Sequence, residues 1–368
     1  MSTVRSALAS CELSSCTRHE ILLTDSPPPP PSSRWPQEHF PGISKIKYNP
    51  SSKNAMEFKH YNAKEVVLGR TMEDWCRFSV CYWHTFRGTG ADPFGGRTLH
   101  RPWDDMSNSI PNALRRVDAA FEFIAKLGVP YYTFHDVDVA PEGATLKESN
   151  ENLDKVVDYL EKKQKATGVK LLWGTANMFS HARFAQGAAT SPDAHVFAYA
   201  GAKVKKAMEA TLRLGGENYV FWGGREGFQS ALNTSVRKEL DNLATFLHMA
   251  VEHKKNIGAK FQFLIEPKPR EPSGHQYDYD AQTVWGFLKS YGLDAHFKVN
   301  IEPNHTTLAG HSYEHDLIMS SKFGYLGSGA STETTLPPPA RPSLPHRKRH
   351  TPFLAQEADN IPPPSLLS

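Results

Sequence analysis

Cysteine is scarce: four in 368 residues, at positions 11, 16, 76 and 81, and no two of them form a CxxC pair. That spacing excludes a disulfide-stapled scaffold and the usual zinc-ribbon patterns. Cys11 and Cys16 lie in a polar stretch and Cys76 and Cys81 in an apolar one, so a shared metal site with His84 is not expected. Reduced thiols favour an intracellular, cytoplasmic setting. No apolar run approaches the ~20 residues that cross a bilayer, and the first residues lack the apolar core of a secretory signal. An organelle leader would suit the Ser-rich start, but Glu12, Glu20 and Asp25 argue against it. Charge of one sign is also missing. Lys and Arg total 42 against 39 Asp and Glu, and no basic stripe interrupts residues 60–320. Neither a nucleic-acid partner nor a membrane surface is expected.

What is present divides the chain in three. Residues 1–40 carry PPPPP (27–31) and no sustained apolar period, which reads as a disordered or polyproline extension. Residues 41–327 have a globular texture. Apolar runs at 77–84, 129–136, 169–177, 218–224, 260–267 and 297–303 read as strands, and amphipathic segments at 113–128, 151–168, 202–216 and 236–258 read as the helices between them. Alternation of this kind points to parallel βα units, and the polar clusters at strand ends favour a TIM (β/α)8-type barrel over a doubly wound sheet. From residue 328 to 368 the chain is rich in Pro, Ser and Thr, with a basic knot at 341–350. It reads as a disordered tail, so the barrel is expected to lack its last two βα units and to leave its first and sixth strands unpaired.

Two strand ends carry the chemistry. FLIEPKPREP (263–272) and KVNIEPNH (298–305) each run from apolar residues into Glu-Pro, placing Glu266 and Glu302 where a barrel keeps its active groups. His305 adds an imidazole, and two carboxylates with a nitrogen suit a hard or borderline divalent cation. A chain of this length contains such triplets by chance, so the residues alone leave a structural role equally open. His135 in FHDVD, with Asp138 able to fix its tautomer, suits proton transfer, against the alternative of a hydrogen-bonded core histidine. Lys268 between two prolines is either a positioned cation or a surface lysine. Trp222 before Gly223 and Gly224 is either a sugar-stacking face or core. HSYEHD (311–316) has metal-like spacing but is expected to open a helix, with no site role.

Together SVCYWHTFRGTGADPFG (79–95), FHDVDVAPEG (134–143), WGTANMFSHARF (173–184), VFWGGREG (220–227), IEPKPREP (265–272) and NIEPNHTTLAGHSYEHD (300–316) closely resemble xylose isomerase of the longer-chain class. The likeness covers about residues 40–327. It implies a TIM barrel, two divalent ions (Mg, Mn or Co), a homotetramer, and reversible conversion of D-xylose to D-xylulose by a metal-assisted hydride shift. It also implies roles. Glu266 would bind one ion, Glu302 would bridge both, and His305 would bind the second. His135 and Asp138 would open the sugar ring, Lys268 would contact O1, and Trp222 and Phe179 would wall the pocket.

The resemblance stops before several further Asp ligands that the family carries at and after its seventh strand. Two Glu and one His hold too little charge for two adjacent cations. The resemblance still implies an enzyme, an intramolecular oxidoreductase, but the missing ligands count against activity of this chain alone, and poor solubility is expected. The alternative is a non-catalytic product that associates with full-length subunits or binds SH3- or WW-type grooves through PPPPP, LPPPARP (336–342) and PPP (362–364).

Overall fold

The structure, a computed structural model, describes residues 38–92 and 94–329. Seven strands form one all-parallel sheet: β1 (Ser79–Cys81), β2 (Tyr131–His135), β3 (Lys170–Thr175), β4 (Asn218–Trp222), β5 (Gln262–Glu266), β6 (Phe297–Ile301) and β7 (Leu326–Gly329). Each strand pairs with the next in sequence, so the order runs from β7 to β1 without a switch point. That order belongs to a TIM-type barrel rather than a doubly wound sheet, as the strand-end chemistry led us to expect.

Helices α1 (Ile110–Leu127), α2 (Leu146–Thr167), α3 (Ala194–Arg213), α4 (Val236–Asn256) and α5 (Ala281–Ser290) cross between strands. Their ends follow local chemistry. Ser109 accepts the N–H of Asn112 to start α1, Thr145 accepts that of Glu148 to start α2, and Gly128 and Gly168 end the two in left-handed conformation. After β6 come two short helices, α6 (Pro303–Leu308) and α7 (His315–Lys322).

Alternation along the strands sorts side chains between two faces. Tyr219, Phe221, Phe263 and Ile265 pack outward against the helices, whereas Val220 and Leu264 join Leu172 and Trp173 inside the sheet. By the same parity Trp222 and Glu266 end their strands on the inner face.

One edge differs from the expectation. The sixth strand is not an edge, because β7 pairs with it in parallel register through Val299↔Leu326 and Ile301↔Gly329. LGSG has no apolar alternation, but a Cβ on Gly327 would overlap the Leu264 side chain, so the strand depends on a glycine for its close approach. Among the described residues the edges are β1 and β7, and no helix or eighth strand follows β7. The Pro-rich segments lie outside the described residues. No described helix is long and apolar enough to cross a membrane, and Cys76 and Cys81 are free thiols.

Candidate active site at the carboxyl ends of the strands

β2 ends at His135, and a single helical turn, Asp136–Val139, follows it. This turn bends Asp138 back over His135. One oxygen of Asp138, Oδ2, accepts the His135 backbone N–H at 2.9 Å and faces the imidazole Nδ1 at 2.9 Å. Both residues are buried. A carboxylate on Nδ1 fixes which ring nitrogen carries the proton and leaves Nε2 as the working atom. Asp136 anchors the turn: Oδ1 accepts the N–H groups of Val137 and Asn177, and Oδ2 pairs with Lys203 at 2.8 Å. Burial opposes the charge of Lys203, but Asp136 and Glu142 outweigh it and raise its pKa.

Aromatic rings enclose the imidazole. Phe179 stands edge-on to His135 at 5.4 Å between centroids and edge-on to Trp222 at 4.5 Å, while Trp83 meets His135 at 4.7 Å. Lys268 lies with its ammonium 5.5 Å from the Trp222 ring and 3.5 Å from Glu271. The Trp222 indole N–H is buried without a partner among the described residues.

The next two strand ends carry the acids. Glu266 is in register with Trp222 across β4 and β5. Asn300 of β6 donates to Glu266 Oε2 at 2.7 Å, and the buried Asn300 Oδ1 has no partner among the described residues. Burial pushes the Glu266 carboxyl up to about 7; Asn300 opposes the rise and Glu302 adds to it. Glu302, 3% exposed, directly follows β6 and stands at the N-cap position of α6. His305, one turn on, donates its Nδ1–H to the Pro267 carbonyl at 2.9 Å and stands 3.7 Å from Glu266 Oε1. Burial and the nearby Lys268 hold its pKa down to about 4, so the ring is neutral at neutral pH. A neutral imidazole fixed by a carbonyl at one nitrogen is a metal-ligand geometry.

These residues fit a divalent cation in chemistry: a carboxyl whose ionisation burial opposes, a second buried glutamate, a neutral imidazole and an orphaned amide oxygen. They do not form a closed cage. Among the described residues, Glu266, Glu302 and His305 are not a group whose ligand atoms all lie within 4.8 Å of one another.

All eight sequence-derived site residues sit at the carboxyl ends of β2 to β6, on or just beyond the inner face. Sequence reasoning missed Trp83 and Trp173, which complete the aromatic wall. It also missed Asn300 and the Asp136–Lys203 pair. Parity was the available signal for Asn300, two residues before Glu302. HSYEHD does open a helix, α7, as expected.

Sequential parallel strands with acids, imidazoles and an aromatic wall at their carboxyl ends define an α/β chain of TIM-barrel type. Comparison with known proteins narrows that class. No family model matches the chain. It is 62% identical over 260 residues to a xylose isomerase from Rhodopirellula baltica, covering 70% of this chain and 59% of that protein. It is 56% identical over 268 residues to a xylose isomerase from Hordeum vulgare, covering 73% and 56%. The chain belongs to the xylose isomerase family. It spans less than two thirds of the length of these curated relatives. Among solved structures, a D-psicose 3-epimerase aligns over 60% of this chain and 70% of its own at 17% identity and a TM-score of 0.45.

Proposed function

We propose that this chain contributes to the interconversion of D-xylose and D-xylulose. The observation that carries the proposal is the His135–Asp138 dyad facing the Phe179–Trp222 wall, with Lys268, Glu266, Glu302 and His305 at the adjacent strand ends. In this reading His135, held in one tautomer by Asp138, moves the proton that opens the sugar ring. Lys268 orients the sugar through O1. The aromatic wall packs on its C–H face and excludes water, so the hydrogen passes from C2 to C1 without exchange. Glu266, Glu302 and His305 would hold a divalent ion (Mg, Mn or Co), and a second would need further oxygens. Such an ion, when bound, polarises the two sugar oxygens.

We further propose the division into an extension (1–40), a barrel (41–327) and a tail (328–368), cytoplasmic placement, and assembly as a homotetramer.

The test is incubation of the full chain with D-xylose and Mn2+ in D2O. The expected product is D-xylulose without solvent deuterium at C1, and His135→Asn abolishes it. Ketose formed equally well by the variant, or carrying deuterium from solvent, contradicts the assignment.

A further inference from the structure

Two carboxylates and two imidazoles meet away from the strand-end glutamates, where the starts of α5 and α7 face each other. Asp280 caps α5, its Oδ1 accepting the Thr283 N–H at 2.7 Å. Asp316, 3% exposed, uses Oδ2 to accept the Ala281 N–H at 3.1 Å. Each carboxylate then turns its other oxygen to a histidine: Asp280 Oδ2 to His311 Nε2 at 3.0 Å, and Asp316 Oδ1 to His315 Nδ1 at 2.8 Å. The two imidazoles stack at 3.9 Å between centroids and 11° between planes. One ligand atom each from His311, His315 and Asp316 lies within 4.8 Å of the others, the one such trio of His, Cys, Asp and Glu among the described residues.

We propose that His311, His315 and Asp316 form a binding site for a borderline divalent cation such as Zn2+, with Asp280 orienting His311. The donor set is the imidazole-and-carboxylate mixture that Zn2+ takes at 2.0–2.2 Å, which places donors about 3.4 Å apart around a tetrahedral ion. The His315–Asp316 contact needs to open by only about half an ångström for an ion to replace the shared proton. The stacked rings must fan apart so that both nitrogens point at one ion. Both side chains are roughly a quarter exposed, at 28% and 27%, which leaves them room to turn and leaves the fourth position open to water. Asp280 on the far nitrogen of His311 is the carboxylate–histidine pairing that orients metal ligands. The two carboxylates bring a formal charge of −2 to a partly buried spot, and a divalent ion neutralises it.

The site shares no residue with Glu266, Glu302 or His305, so it stands or falls independently of the isomerase reading. The test uses the full chain with Glu266→Gln and Glu302→Gln introduced, which disables the strand-end ligands. Co2+ serves as the spectroscopic probe and Zn2+ is titrated in competition with a chelator. The expected result is one equivalent of Co2+ with the intense visible absorption of a four-coordinate ion, displaced by Zn2+. Adding His311→Ala and His315→Ala weakens Zn2+ binding by more than about tenfold. His311→Gln alone, which retains a donor toward Asp280, gives a loss of the same order in a chain that keeps the helix contact. Absence of the Co2+ band, or unchanged affinity in His311→Gln, overturns the proposal.

Discussion

Glu226→Gln tests how the loop that presents Trp222 is held. Glu226 follows the WGG turn, is 5% exposed, and lies under residues 188–190. Its Oε1 accepts the Ala189 N–H at 2.9 Å, Oε2 accepts the Thr190 N–H at 2.9 Å and the Thr190 hydroxyl at 2.5 Å, and the Ala188 N–H is shared between the oxygens at 3.2 Å. Three backbone N–H groups and a hydroxyl thus converge on one acceptor-only side chain. Glutamine has the same shape but offers an NH2 in place of one oxygen. With its carbonyl kept on Ala189, the Thr190 N–H is left buried and unpaired, at a cost of about 1–3 kcal/mol. The bonds that remain lose their ionic acceptor, roughly 1 kcal/mol each for two. The Thr190 hydroxyl can rotate to accept, so it adds nothing. Unfolding free energy should fall by about 3–5 kcal/mol, read from urea titrations followed by tryptophan fluorescence. Thr190→Val, which removes one hydroxyl donor, should cost about 1 kcal/mol. A loss below about 1 kcal/mol for Glu226→Gln would refute the reasoning, because it would mean that the cradle is open to water.

Three other perturbations probe neighbouring groups. Burial drives Asp278 up to about 8 from an ordinary 3.8, with nearby Glu226 reinforcing the rise and backbone N–H groups opposing it. The folded chain therefore keeps a proton that the unfolded chain loses, so Asp278 makes stability fall as pH rises from about 4 to about 8. Asp278→Asn should flatten that fall in urea titrations across this window, and an unchanged slope would contradict it. Lys203→Met leaves Asp136 buried without its cation and should cost about 3–5 kcal/mol in the same assay. Asp138→Asn frees the His135 tautomer and should slow turnover of the closed sugar by about 10²–10⁴; initial rates equal to the parent would exclude a role for the dyad in ring opening.

The strands that sequence reading located are those whose apolar runs face helices outside and side chains inside, such as Asn218–Trp222 and Gln262–Glu266. Their endpoints at Glu-Pro or His-Asp also place Glu266, Glu302 and His135 at one end of the sheet from sequence alone. β1 is shorter than the run at 77–84 because Trp83–Arg87 coil into a π-helical turn. β7 escaped because its packing depends on a glycine rather than on apolar alternation. α5 escaped because Gly286 interrupts a ten-residue segment too short to show a clear period, although Asp280 carried a cap signal. His311 and His315 were visible as a pair, but no local pattern brings Asp280, thirty-one residues earlier, to their side. Partners that meet only through the fold leave no local trace in a sequence.

The most direct test of the central claim, that the inner strand ends form a metal-dependent sugar site, is a calorimetric titration of the full chain with D-xylose, with and without Mn2+. Saturable binding that requires Mn2+, disappears in Glu302→Gln and weakens in Trp222→Ala is the predicted result. Binding that ignores Mn2+ and survives Glu302→Gln, or no binding at all at millimolar sugar, would contradict the account.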